Sequence, residues 1–126
     1  MEGKALRYFK PHEFACKCRR CGKGFDEMDP TLLAMLDELR HKVGEPLIIS
    51  SAYRCKEHNS EVGGVSGSSH MKGLAVDIEC WDSYLRFKIV KEAIFLGFRR
   101  IEPATTWVHL DIDNEKPQDV LFFGKE

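Results

Sequence analysis

Two short stretches constrain the fold more than any other part of the chain. Residues 73–79 (GLAVDIE) and 107–112 (WVHLDI) alternate apolar and polar side chains. Successive side chains of a β-strand point to opposite faces, so each stretch has one face for a core and one for a polar surface. In the first, Leu74, Val76 and Ile78 share one face and Ala75, Asp77 and Glu79 the other. In the second, Val108, Leu110 and Ile112 face the core, while Trp107, His109 and Asp111 lie opposite. The polar faces thus carry Asp77 and His109, side chains that bind cations or move protons.

Helical signals surround these strands. Asp29 suits an N-cap and Pro30 a first turn; Leu32, Leu36, Leu39 and Val43 recur at helical spacing, and Gly44 stops the run. A second helix is predicted from about Ser83 to Leu96, ended by Gly97. Pro46–Ser51 and Phe98–Glu102 read as further short strands. Tyr53–Ser69 reads mostly as loop, with a helical turn near Glu57–Val62 and a Gly/Ser-rich part from Gly63. The expectation is one α+β domain over 1–126, a mainly antiparallel sheet with helices packed on one side. Its first 25 residues form an irregular segment holding three cysteines.

Composition removes several classes. The 19 Lys and Arg nearly balance the 20 Asp and Glu, for a net charge of -1, so no general affinity for nucleic acid or anionic membranes is expected. A local basic cluster remains at Lys17, Arg19, Arg20 and Lys23. Met1–Lys10 is polar without an apolar leader core, and no run approaches the roughly 20 apolar residues of a membrane span. The expectation is a monomer made in the cytoplasm, without membrane insertion. Five cysteines, an odd count, argue against a disulfide framework.

The sharpest motif is Ser69-His70-Met71-Lys72-Gly73-Leu74-Ala75-Val76-Asp77. It places a His at the end of a loop, a Gly where the chain can turn, and an Asp on a strand's polar face. With His109 it offers two imidazoles and one carboxylate, a set that holds zinc and leaves a fourth position open for catalysis. On spacing alone, the histidines read equally as hydrogen-bonded residues and Asp77 as a turn cap.

Three separated segments narrow this: Ser50-Ser51-Ala52-Tyr53-Arg54, then Ser69-His70 with Gly73, Ala75 and Asp77, then Trp107-Val108-His109-Leu110-Asp111. In this order they resemble the D-Ala-D-Ala metallopeptidase family, from roughly Phe9 to Phe123. That family includes zinc D,D-carboxypeptidases, VanX-type dipeptidases and phage L-alanyl-D-glutamate endopeptidases, with a fold shared by hedgehog-type domains. The resemblance implies zinc in a cleft on the sheet, held by His70, Asp77 and His109. It implies an active-site role for Arg54, a guanidinium suited to a peptide carboxylate or a developing oxyanion. The family's usual acid just before the last His is replaced here by Thr106. The nearest preceding carboxylate is Glu102, assigned as general base, with Asp111 as its support or as a proton acceptor. The implied substrate is the peptide part of bacterial peptidoglycan. The implied role is a phage or prophage lysis enzyme that reaches the wall after holin-type release. D-Ala-D-Ala carboxypeptidase activity and a non-catalytic wall-binding module are the alternatives.

Cys16, Cys18 and Cys21 resemble a partial zinc knuckle, with Cys55 or Cys80 as the fourth thiol. The usual paired Cys-x-x-Cys arrangement is absent, so the reading taken is packed, reduced thiols in a small N-terminal loop.

Overall fold

Asp29 starts the first helix as the sequence implies: its Oδ1 accepts the amides of Thr31 and Leu32 at 2.8 and 3.3 Å. The helix, α1 (Pro30–Val43), ends at Gly44, whose φ of 77° closes the last turn. In this computed structural model, which describes residues 6–124, five strands follow and interleave with two more helices. These are β1 (Ile49–Ser51), α2 (Lys56–Glu61), β2 (Ala75–Glu79), α3 (Ser83–Leu96), β3 (Arg100–Pro103), β4 (Trp107–Asp111) and β5 (Val120–Leu121). Residues 1–5 of the polar start and of the irregular segment lie outside the described residues.

The strands form one sheet in the order β1-β2-β4-β3-β5, antiparallel except for the β3–β5 pair. The core lies on the sheet face bearing Val76, Ile78, Ile101, Val108 and Leu110, against Leu32, Leu36 and Leu39 of α1 and Ile89 and Ala93 of α3. Each fully buried Leu or Ile contributes about 1.5–3 kcal/mol of apolar transfer. The fold is thus α+β, with an antiparallel-dominated sheet, as expected.

Three local features differ from the sequence reading. Pro46–Ser51 yields only three strand residues, because Ser51 reaches its partner Asp77 after a register shift in β1. The loop before His70 ends in a tight 3-10 turn over Ser69–Lys72, capped by Ser68 and closed by Gly73 at φ 71°. β5 carries no pattern of its own; its two residues are held by parallel pairing to β3. Among the described residues, no helix is long and apolar enough to cross a membrane.

Candidate metal centre and cleft

The sheet register builds the centre. Asp77 of β2 pairs with His109 of β4, and His109 with Glu102 of β3; on the far side Asp77 pairs with Ser51 of β1. Directly opposed residues in antiparallel strands project to the same face. Ser51, Asp77, His109 and Glu102 therefore stand in one row across four strands, on the face away from α1 and α3. A one-residue slip would turn any of them into the core.

His70 comes to this row from the 3-10 turn. The turn is tied down by the Arg54 amide on the His70 carbonyl at 3.2 Å and by the Asp29 amide on the Gly73 carbonyl at 3.0 Å. A side chain at Gly73 would run into the Glu27 carbonyl, so only glycine lets the turn close against that segment. His70 is 3% exposed, so it belongs to a fixed turn and not to a flexible loop. His70, Asp77 and His109 offer ligand atoms that all lie within 4.8 Å of one another.

The second hydrogen bond of each imidazole sets its tautomer. His70 Nδ1 donates to the Ala52 carbonyl at 2.7 Å, which leaves the Nε2 lone pair facing Asp77 Oδ1 at 3.2 Å. His109 Nε2 donates to Asp111 Oδ2 at 2.7 Å, which leaves the Nδ1 lone pair facing the same Asp77 oxygen at 2.9 Å. Asp111 is paired with Arg100, whose Nε donates to Oδ1 at 2.8 Å with both side chains 1% exposed. Two lone pairs and a carboxylate oxygen thus converge, an arrangement that repels itself unless positive charge lies among them. Protons supply that charge in the absence of a cation. Burial opposes protonation of His109, but hydrogen bonds to Asp111 and Asp77 push its pKa up to about 9. Burial likewise works to raise Asp77, yet hydrogen bonds from His109 and His70 hold it far below the usual carboxylate range. The donor set fits zinc, which takes His and Asp ligands with an open corner.

Arg54 lies beside this group, between β1 and α2. Its Nε donates to Ser51 Oγ at 3.2 Å, its Nη1 to Asn59 Oδ1 at 3.1 Å, and its Nη2 sits 3.5 Å from Asp77 Oδ2. Asn59 is fixed in turn by its Nδ2 on the Val65 carbonyl at 3.0 Å, the loop-tying role its type suggests. A Cβ at Gly64 would overlap the Asn59 amide, so that glycine leaves the Arg54–Asn59 pair its room.

Arg54, Gly64, His70, Asp77 and His109 line a cleft of about 370 Å³, with Glu102, Trp107, Lys116 and Phe122 on its walls. Glu102 Oε2 accepts the Gly124 amide at 2.9 Å. Asp111 is 1% exposed and engaged by Arg100, His109 and the Asp113 amide.

Arg100 and Phe122 escaped the sequence reading. Arg100 sits next to Arg99 and looks like a surface charge, but the alternation Arg100-Ile101-Glu102 puts it on the site face. The Phe122 ring packs under the Arg100 guanidinium at 4.7 Å and edge-on to His109 at 5.7 Å. Cys16, Cys18, Cys21 and Cys55 gather at a second place, and Cys80 lies apart.

A buried imidazole–carboxylate centre beside an open cleft has the donor set of the metal-dependent hydrolases. The chain belongs to the Peptidase M15 family: the family model matches residues 7–111, most of the chain. Membership makes it a metallopeptidase. No curated protein matches the chain.

Proposed function

We propose that the chain is a zinc-dependent peptidase that hydrolyses amide bonds in the stem peptides or cross-links of bacterial peptidoglycan. The observation that carries this is the convergence of the His70 Nε2 and His109 Nδ1 lone pairs on Asp77 Oδ1. His70, Asp77 and His109 would hold the ion, which when bound acts as a Lewis acid on the scissile carbonyl and lowers the pKa of a water to about 7.

The chain's own residues do the rest. Glu102, one strand from His109, takes a proton from the attacking water and returns it to the leaving amine. Arg54 stands where charge builds on the carbonyl oxygen or where a substrate carboxylate docks. Asp111, backed by Arg100, keeps His109 in the tautomer that presents Nδ1. Trp107 and Phe122 supply apolar walls that limit water.

Within this class the reading is endopeptidase action in wall lysis, by a phage or prophage enzyme reaching the wall after release; D-Ala carboxypeptidase action is the alternative. Mass spectrometry of a muropeptide digest, with and without chelator and with His70→Ala, tests both levels. Internal amide cleavage that needs the metal and His70 is the expected result. Loss of single terminal D-Ala residues would replace the endopeptidase reading, and undiminished cleavage by folded His70→Ala would reject the mechanism.

A further inference from the structure

Four thiols outside the cleft are placed as a set. Cys16, Cys18 and Cys21 come from the irregular N-terminal segment and Cys55 from the corner between β1 and α2, yet their sulfurs all lie within 4.8 Å of one another. Tetrahedral zinc with Zn–S bonds of about 2.3 Å needs sulfur–sulfur edges of about 3.8 Å, so small adjustments would seat an ion among them. Disulfides would draw sulfurs together two at a time, and all five cysteines are free.

The backbone is aimed at these sulfurs. The Arg20 and Cys21 amides donate to Cys18 Sγ, each at 3.3 Å; the Lys23 amide donates to Cys21 Sγ at 3.4 Å. Across the interface, the Cys55 amide donates to Cys16 Sγ at 3.3 Å and the His58 amide to Cys55 Sγ at 3.4 Å. A neutral thiol is a weak acceptor, whereas a metal-bound thiolate is a strong one, so five amides converging on four sulfurs is a thiolate pattern. Left-handed residues at Arg19 (φ 60°) and Gly22 (φ 70°) turn the chain just after Cys18 and Cys21, which brings those amides round.

Charge follows the same plan. A divalent ion binds thiolates, so its entry would release protons from the four thiols. Four thiolates around it would carry a net charge of about −2. Lys17, Arg19, Arg20 and Lys23 flank the cluster in sequence, which gives the basic run a local use.

We propose that Cys16, Cys18, Cys21 and Cys55 form a closed structural zinc site, separate from the cleft. It staples the N-terminal segment to the corner that carries Arg54. Cys55 is the residue after Arg54 and caps α2, the helix whose Asn59 holds the guanidinium. The ion would fix the arginine's mounting without touching substrate.

Zinc content, cobalt spectra and thiol counts on the full chain decide this. The parent should carry two zinc equivalents, and His70→Ala and Cys21→Ser one each. Cobalt alone should give the sulfur-to-cobalt charge-transfer band of a tetrathiolate site, and His70→Ala should keep it. Unfolded in chelator, the chain should titrate all five of its thiols. Cys21→Ser should lower Tm by about 10 °C or more. Should that variant fail to fold, the parent's cobalt band and zinc count decide alone. A parent that binds a single equivalent, lost in His70→Ala, would overturn the proposal. So would a cobalt spectrum without sulfur bands, iron in place of zinc, or fewer than five titratable thiols. A parent with a single equivalent that His70→Ala keeps and Cys21→Ser loses would uphold this site and count against the cleft as a zinc site.

Discussion

Replacing Asp111 with Asn tests the tautomer argument directly. The carboxylate accepts from Arg100 Nε at 2.8 Å, the Asp113 amide at 3.0 Å and His109 Nε2 at 2.7 Å. An Asn has one acceptor oxygen. If that oxygen stays on Arg100 and Asp113, its NH2 group faces His109 Nε2, and two donors collide. His109 relieves this by moving its proton to Nδ1, which removes the lone pair that faces Asp77. Losing such an orienting partner lowers metal affinity 10–100-fold, or about 1.4–2.7 kcal/mol. The anion opposite Arg100 is lost as well, at a site where both partners are 1% exposed. Breaking a buried pair costs about 3–5 kcal/mol, and the retained amide oxygen puts this case near about 3. For a chain of 126 residues that is a Tm loss of about 10 °C, well within the usual margin of stability. The assays are metal-free thermal unfolding and chelator competition on the zinc equivalent that His70→Ala abolishes. A folded Asp111→Asn protein that binds this zinc within about threefold of the parent would refute the reasoning.

Three other outcomes are expected. Glu102→Gln should lower kcat by about 10²–10⁴-fold with zinc content unchanged, and near-parental turnover would move the base elsewhere. Gly73→Ala forces a left-handed Ala into the Glu27 carbonyl, and chemical denaturation should show at least about 2 kcal/mol lost, with His70 displaced; parental stability would show that the turn tolerates a side chain. At Asp37 burial works to raise the carboxyl, but hydrogen bonds from Arg7 and Tyr8 leave it below its ordinary value. A depressed folded value gives stability that is present above a pH of about 4 and is lost as the pH falls through the folded value. Asp37→Asn should flatten that acid limb in urea midpoints; an equal acid dependence in both proteins would discount the Arg7 tie.

What could be read from the sequence was what neighbours along the chain decide. The Asp29 cap, the Gly44 and Gly97 stops, and the two faces of β2 and β4 are local matters of hydrogen bonding and period. His70, Asp77 and His109 were legible because their motif resembles a family's, and the sheet register then supplies their convergence. Arg100 was not, because only its pairing with Asp111 across the sheet distinguishes it from a surface charge. Cys55 was one of two candidate partners for the N-terminal thiols; the choice rests on packing across 34 residues, from Cys21 to Cys55. β5 has no signature at all, since two residues define neither a period nor a face.

The set of His70 from the 3-10 turn, Asp77 from β2 and His109 from β4 makes the centre a detector of assembly. Its members lie far apart along the chain, so an intermediate in which the turn or either strand is out of place cannot offer all three groups. A cation that binds only the complete set adds its whole affinity to the final state, about 4 kcal/mol at a thousandfold excess over Kd. Half-built chains would gain none of it, so such a protein would acquire its reactive ion only after the scaffold had closed.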